Sequence, residues 1–144
     1  GMLANSGAGL VIAEMTDVSA DGRITPGCAG LYADAHVAAW RRVVDFVHRE
    51  SAAKIGVQLA HAGRKAGTDA PWRGGGRLAI ADGGWQPVAP SAIPVAEGEP
   101  APTALDSTGI REVSDGFREA AGRADEGVRS VVDGLATLQR QLAG

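Results

Sequence analysis

Two short apolar runs separated by an amphipathic stretch dominate the first half of the chain. Residues 10–15 (LVIAEM) and 55–60 (IGVQLA) have the nearly unbroken apolar character of buried strands. Between them, helical spacing places these apolar side chains on one face: Val37, Trp40, Val44 and Val47, widened by Val43 and Phe46. The charged residues predicted to point away from this face are Arg41, Arg42, Asp45 and Arg49. Strand, helix and strand together predict a βαβ unit in a parallel sheet.

The segments around these elements have the composition of loops. Asp34 is the expected N-cap of the helix, and residues 51–53 are its expected end. Residues 16–31 show no apolar period and contain two turn dipeptides, Asp-Gly and Pro-Gly. Residues 64–106 hold all but one of the 7 prolines, and a loop of that length is normally functional or disordered. A short hairpin is predicted at residues 78–85, turning at 82–84.

A helical period returns near the C-terminus. The apolar positions that share one face are Ile110, Val113, Phe117, Ala120, Ala124, Val128, Val131, Leu135, Leu138 and Leu142. This spacing predicts either one long amphipathic helix or two helices joined near Gly127.

Composition excludes several classes of protein. The 144 residues are enough for one domain with a core, and 44% are hydrophobic although only 4% are aromatic. A formal charge of −3 and a pI of about 5.6 argue against a nucleic-acid-binding protein. The single cysteine, Cys28, excludes an internal disulfide and fits a reducing compartment. No apolar run approaches the roughly 20 residues of a membrane span, and the first residues lack a basic secretion region, so we expect a cytoplasmic protein.

The most informative chemistry lies between residues 54 and 67 (KIGVQLAHAGRKAG). Gln58 stands in the middle of an apolar strand, where its amide is expected to be buried and to need hydrogen-bond partners. A glutamine offers a donor and an acceptor side by side, which suits the edge of a flat heterocycle. The basic turn that follows lies where parallel α/β proteins bind ligands, beyond the carboxyl ends of the strands. The alternative is an ordinary strand end followed by a solvated basic loop.

Other polar residues form no recognisable constellation. The three histidines lack metal-ligand spacing, so we predict no metal site. No Ser-His-Asp or Cys-His arrangement can be assembled from the spacing. His36 and His48 are expected on the helix surface, and Cys28 is expected to be a bystander in its loop.

Several quoted stretches carry a family resemblance. GAGLVIAEMTDVSADGRITPGCAGLYADAHV, AKIGVQLAHAGRKAG, PWRGG, WQPVAPSAIP and IREVSDGFREAAGRA resemble the old yellow enzyme family of flavin-dependent oxidoreductases. Within it, the loops are most similar to the oxidoreductase half of bifunctional salicylyl-CoA 5-hydroxylases. The resemblance implies an α/β fold that is part of a (β/α)8 barrel, with a long Pro/Gly-rich loop and a C-terminal amphipathic helix. It also implies FMN as cofactor, NAD(P)H as reductant and an activated alkene as the small-molecule substrate.

The resemblance also implies roles for five residues. Gln58 would hydrogen-bond the pyrimidine edge of the flavin, which a neutral amide orients without adding charge. Met15 would lie beside the isoalloxazine, although an ordinary core methionine is the alternative. His61, Arg64 and Lys65 would shape the loop over the site, with the two basic residues ordering the loop in preference to touching the cofactor.

A complete (β/α)8 barrel takes about 250 residues. The resemblance therefore implies a chain truncated at both ends that holds two to three βα units. We expect a barrel fragment at 1–124 and a divergent helical tail at 125–144, which contains no His, Tyr or Asn. The family's substrate-binding histidine pair, tyrosine acid and phosphate loops have no counterpart, so no catalytic residue is predicted and weak or absent activity is expected. The alternatives are a flavin-binding module without turnover and a non-catalytic remnant that forms a homo-oligomer through its C-terminal helix.

Overall fold

The computed structural model describes the backbone of residues 1–142 and the side chains of residues 1–125. The elements in chain order are α1 (Met2–Asn5), β1 (Leu10–Asp17), α2 (Asp34–Glu50), β2 (Lys54–Ala60), β3 (Val88–Ala89), β4 (Thr103–Ala104) and α3 (Ser107–Leu142). No helix in the part of the chain that is described is long and apolar enough to cross a lipid bilayer.

Strands β1 and β2 are parallel neighbours, and α2 connects them. The predicted βαβ unit is therefore confirmed. Leu10 lies opposite Lys54 and Ala13 lies opposite Val57, but the register shifts by one residue between Ala13 and Met15. Glu14 is the extra residue of this bulge.

Helix α2 covers one face of the pair. Its N-cap is Ala33 in an extended conformation, so the prediction of Asp34 as the cap is wrong, and Asp34 lies in the first turn instead. The helix ends at Glu50 and Ser51 is its C-cap, within the predicted end at 51–53; the Ser51 N–H and Oγ both donate to the Val47 carbonyl at 3.1 and 2.7 Å.

The core consists of two clusters beneath α2. Their buried members are Ala4, Val47 and Ala53 in one cluster, and Val18, Leu31, Val37 and Ala120 in the other. Val43 and Phe46 are exposed, so the predicted widening of the apolar face is wrong. Arg41 was predicted to point away, yet it lines a cavity together with Val37 and Val44 because it shares their helical face.

The long loop after β2 is held by irregular contacts. Three 3₁₀ turns form at Gly63–Lys65, Pro71–Arg73 and Ile80–Asp82. The predicted hairpin at 78–85 is wrong, because the Leu78 N–H donates to the Gly67 carbonyl at 3.0 Å and a 3₁₀ turn occupies its centre. Strands β3 and β4 then form a short parallel pair.

Helix α3 is continuous in its backbone to Leu142, which selects one helix over two. Asp106 precedes its first residue, and its Oδ1 accepts hydrogen bonds from the N–H groups of Thr108 and Gly109 at 2.9 and 2.8 Å. The apolar side chains predicted at 128–142 lie outside the described side chains. Helix α3 packs on α2 and β2, so the sheet has helices on one face.

Candidate functional site

Met15 and Gln58 are direct partners near the carboxyl ends of β1 and β2. In parallel strands, residues in register share a face of the sheet. Val57 lines a cavity beneath the helices, so alternation along the strand places Gln58 and Met15 on the opposite, uncovered face. The two residues predicted to contact a flavin are therefore adjacent.

The side chain of Gln58 is exposed, so the prediction that an apolar interior surrounds it is wrong. The reason is that helices cover only one face of this two-stranded sheet in the described structure. The amide forms no hydrogen bond with any of the described residues, which leaves its donor and its acceptor available to a ligand. Met15 beside it is half-buried.

His61 follows β2 directly and has a defined orientation. Its Nδ1 accepts a hydrogen bond from the Gly63 N–H at 3.0 Å. Its Nε2 is buried and has no partner among the described residues. A Cβ on Gly22 would lie 2.7 Å from His61 Cδ2, so the loop after β1 approaches the imidazole closely only because residue 22 is glycine.

Arg64 and Lys65 occupy different surroundings in the same 3₁₀ turn. The Arg64 guanidinium donates to the Ile93 carbonyl at 2.7 Å and to Ser91 Oγ at 3.1 Å. It therefore connects the start of the long loop to a segment almost thirty residues later. Lys65 is exposed, and its ammonium group forms no hydrogen bond or ion pair with the residues whose side chains are described.

Arg77 is a second loop-bracing residue, one that the sequence analysis missed. Its guanidinium donates to the Ala66 carbonyl at 3.3 Å and to the Arg64 carbonyl at 3.1 Å. Ala66 itself is fully buried. The available signal was a single arginine at the end of the Gly74-Gly75-Gly76 run, where a long donor can reach backbone carbonyls that such a loop leaves unpaired.

Asp17, the last residue of β1, was also missed. It is fully buried, and neither carboxylate oxygen has a hydrogen-bond partner among the described residues. Burial raises the pKa of Asp17 to about 6, while the positive charge of Arg23 acts in the opposite direction. Its backbone is fixed, because its N–H donates to Ala29 and its carbonyl accepts from Leu31, both at 2.9 Å. The sequence signal for this site was a carboxylate placed directly at the end of an apolar strand.

Arg23 and Trp85 join the loops that follow the two strands. The Arg23 guanidinium lies 4.9 Å from the centre of the Trp85 ring, in a cation–π contact. The Trp85 Nε1–H donates to the Asp21 carbonyl at 2.8 Å. The Arg23 Nε–H donates to the Ala20 carbonyl at 2.7 Å. Both loops are therefore fixed beside the strand ends that carry Met15 and Gln58.

Parallel strands, a crossover helix and ordered loops beyond the carboxyl ends are the arrangement of the α/β barrel class, in which ligands bind beyond those ends. The family model described as "NADH:flavin oxidoreductase / NADH oxidase family" matches residues 2–135. The chain belongs to this family.

Individual relatives agree with this assignment. An NADH:flavin oxidoreductase from Gibberella zeae is 41% identical over 128 residues, which are 86% of this chain and 31% of the relative. An NADPH dehydrogenase from Listeria monocytogenes is 42% identical over 130 residues, which are 90% of this chain and 34% of the relative. The chain thus spans about a third of the length of these curated relatives.

Solved structures show the same relationship. Morphinone reductase superposes with a TM-score of 0.68 at 32% identity, covering 86% of this chain and 34% of that protein. Morphinone reductase in complex with tetrahydroNAD gives a TM-score of 0.67 at 31% identity. The predicted fold, part of a (β/α)8 barrel, is confirmed. The family match extends to residue 135, and both the division at residue 124 and the likeness to salicylyl-CoA 5-hydroxylases stay predictions.

Proposed function

We propose that this chain forms the Gln58–Met15 side of an FMN site in an NAD(P)H-dependent flavin oxidoreductase. The observation that carries the proposal is the register pairing of Met15 with Gln58 on the open face of the sheet. Family membership supports the choice of flavin and nicotinamide. The chain spans only about a third of the length of these relatives. That it takes part in their NAD(P)H-dependent reaction is therefore proposed here as well.

The residues present fit a flavin ring. The exposed Gln58 amide has an unused donor and an unused acceptor, which match the alternating carbonyl and N–H groups of a pyrimidine edge. The half-buried Met15 supplies a polarizable apolar surface against which an aromatic ring can pack. Both side chains are uncharged, so they orient the ring without adding a formal charge to it.

Each residue then has a limited role. A bound flavin would supply the hydride-transfer chemistry between NAD(P)H and an activated alkene. Gln58 would orient the ring and Met15 would cover part of it. Arg64 would hold the loop above the strand ends through Ile93 and Ser91. His61 and Lys65 would shape the same loop, and no residue of this chain is assigned a proton-transfer step.

The test is to purify the chain, add FMN, remove free flavin by desalting and record the visible spectrum. A retained and perturbed flavin band is the expected result. NAD(P)H oxidation with an α,β-unsaturated ketone would then be assayed. A colourless protein after desalting would overturn the proposed FMN site for this chain.

A second candidate is a non-catalytic protein that self-associates. It is favoured by Leu10 and Ile12, which are 57% and 64% exposed on the sheet face that the helices leave uncovered. The helical spacing of apolar residues at 128–142 predicts that this segment contacts a second copy of the chain. Sedimentation of the full chain and of residues 1–127 tests this. Equal association states would exclude the C-terminal segment as the interface.

A further inference from the structure

Arg41 is a cation on the packed face of an amphipathic helix. It follows Val37 by one turn and precedes Val44 by three residues, and the three side chains line one cavity. The Arg41 Nε is buried and has no partner among the described residues. Its guanidinium forms no hydrogen bond or ion pair with any of them. Arg41 as a whole is half-buried, so its guanidinium sits at the edge of the cavity with hydrogen-bonding capacity that the described residues do not use.

The cavity lies between α2, β2 and α3. It has a volume of about 70 Å³, and its apolar wall includes Trp40, Ile55 and Val57. That volume is about half of the 150 Å³ of an engineered cavity that binds benzene. This small, partly open space therefore suits a short aliphatic chain better than an aromatic ring. Val57 alternates with Gln58 along β2, so the cavity is on the other face of the sheet from the proposed flavin site.

The described lining of the cavity carries positive charge. A second guanidinium, that of Arg123, lines it beside Arg41, and none of the lining residues whose side chains are described is a carboxylate. Arg123 already has partners, because its Nε lies 3.2 Å from Asp34 Oδ1 and its Nη1 lies 3.6 Å from Glu119 Oε2. Arg41 has no partner among the described residues, so its guanidinium is the unpaired charged group at the edge of this apolar space.

We infer that this cavity binds a short-chain aliphatic carboxylate. The carboxylate would pair with the Arg41 guanidinium, whose fork of N–H donors matches two carboxylate oxygens. The alkyl chain would fill the apolar space beside Trp40 and Val57. This site is independent of the flavin site, and its occupant is a different class of ligand.

The test uses the indole N–H signal of Trp40 in ¹⁵N-labelled protein. Trp40 lines the cavity and donates its Nε1–H to the Gly30 carbonyl at 3.1 Å. Butyrate is titrated into the full chain, with 1-butanol as the neutral analogue. The expected result is a saturable shift of the Trp40 signal with butyrate in the millimolar range, and binding about tenfold weaker or more with butanol. Trp72, which is 85% exposed, provides the reference signal.

Arg41→Met keeps an unbranched, flexible side chain but removes the guanidinium and its charge, and Arg42→Met is the matched control at an exposed neighbouring position. Loss of butyrate binding in the first variant alone supports the inference. Equal binding by the two variants, equal affinity for butyrate and butanol, or no saturable shift would each overturn it. Should Arg41→Met fail to fold, butyrate binding to the wild-type protein is measured at rising salt concentration. Weaker binding at high salt supports the ion pair with Arg41, and unchanged binding overturns it, because salt screens ion pairs but not purely apolar contacts.

Discussion

Met15 lies opposite Gln58 because a one-residue bulge at Glu14 shifts the register between β1 and β2. Without the bulge, continuation of the upstream register would place Glu14 opposite Gln58. A carboxylate beside the amide would add a negative charge at the position where the ring edge is proposed to bind. The bulge therefore exchanges a charged neighbour for an apolar one.

Replacing Gln58 with alanine should weaken FMN binding with no change in helix content. Loss of a paired donor and acceptor should raise the dissociation constant by about tenfold. Flavin fluorescence titration measures the affinity, and circular dichroism measures helix content. Gln86→Ala is the control, since the Gln86 amide is also exposed but already donates to the Ala101 carbonyl and has no role in the proposed flavin site. Equal FMN affinity in the Gln58 and Gln86 variants would remove Gln58 from the site.

Asp17 should make the stability of the fold depend on pH. Its pKa is raised from 3.8 to about 6 by burial, so between these values the folded protein binds a proton that the unfolded chain releases. The free energy of unfolding therefore falls as the pH rises from about 4 to about 6, by a contribution on the order of 3 kcal/mol, and the loss persists at higher pH.

Asp17→Asn should remove this contribution, because an amide does not ionise. Urea unfolding across that pH range should show the variant gaining stability relative to the wild type as the pH rises. Asp82→Asn, at an exposed loop position, is the control and should follow the wild-type curve. A constant difference between wild type and Asp17→Asn at all pH values would contradict the prediction.

Arg77→Ala should loosen the loop between β2 and α3. The substitution removes two charge-assisted hydrogen bonds to the carbonyls of Ala66 and Arg64, which together should cost about 2 kcal/mol of stability. Limited proteolysis should cut the variant faster within residues 64–106. Arg73→Ala changes an exposed arginine in the same loop and should leave the cleavage rate unchanged. Matching cleavage rates for both variants would show that Arg77 does not brace the loop.

Two glycines in α3 should respond differently to alanine. A Cβ at Gly122 meets nothing within 4 Å, so Gly122→Ala should stabilise the protein by about 1 kcal/mol through helix propensity. A Cβ at Gly116 would lie 3.2 Å from the Val18 carbonyl oxygen, and this crowding should offset the gain. Thermal unfolding compares the two variants. A Gly116→Ala protein at least as stable as Gly122→Ala would indicate that α3 can shift away from the Val18 carbonyl at little cost.

The sequence correctly predicted the strands and the helix whose apolar side chains are buried in a regular pattern. Residues 10–15 and 55–60 are strands in the structure, and residues around Val37 and Val47 form the packed face of a helix, because apolar periodicity reports burial directly. The same reasoning misplaced Arg41, since periodicity alone treats every arginine as solvent-facing. It also expected Gln58 to be buried, because an apolar strand does not reveal how many of its faces are covered.

The partners of the loop residues could not be predicted for a different reason, even though Arg64 was expected to order the loop. Arg64, Arg77 and Trp85 are positioned by hydrogen bonds to backbone carbonyls that lie up to 64 residues away in sequence. A carbonyl is present at every residue, so the sequence carries no signal for which one accepts the bond. The absent hairpin at 78–85 has the same cause, because contacts with distant segments determined the path of that stretch.

The contact between Arg23 and Trp85 has a consequence for motion. Each residue belongs to the loop of a different strand, and the Trp85 indole also donates to the Asp21 carbonyl. Opening either loop breaks the cation–π contact and this hydrogen bond together, so the cost of opening is shared. The two loops should therefore behave as a single cooperative unit, with common hydrogen-exchange protection. A ligand that orders one loop would then slow exchange in both.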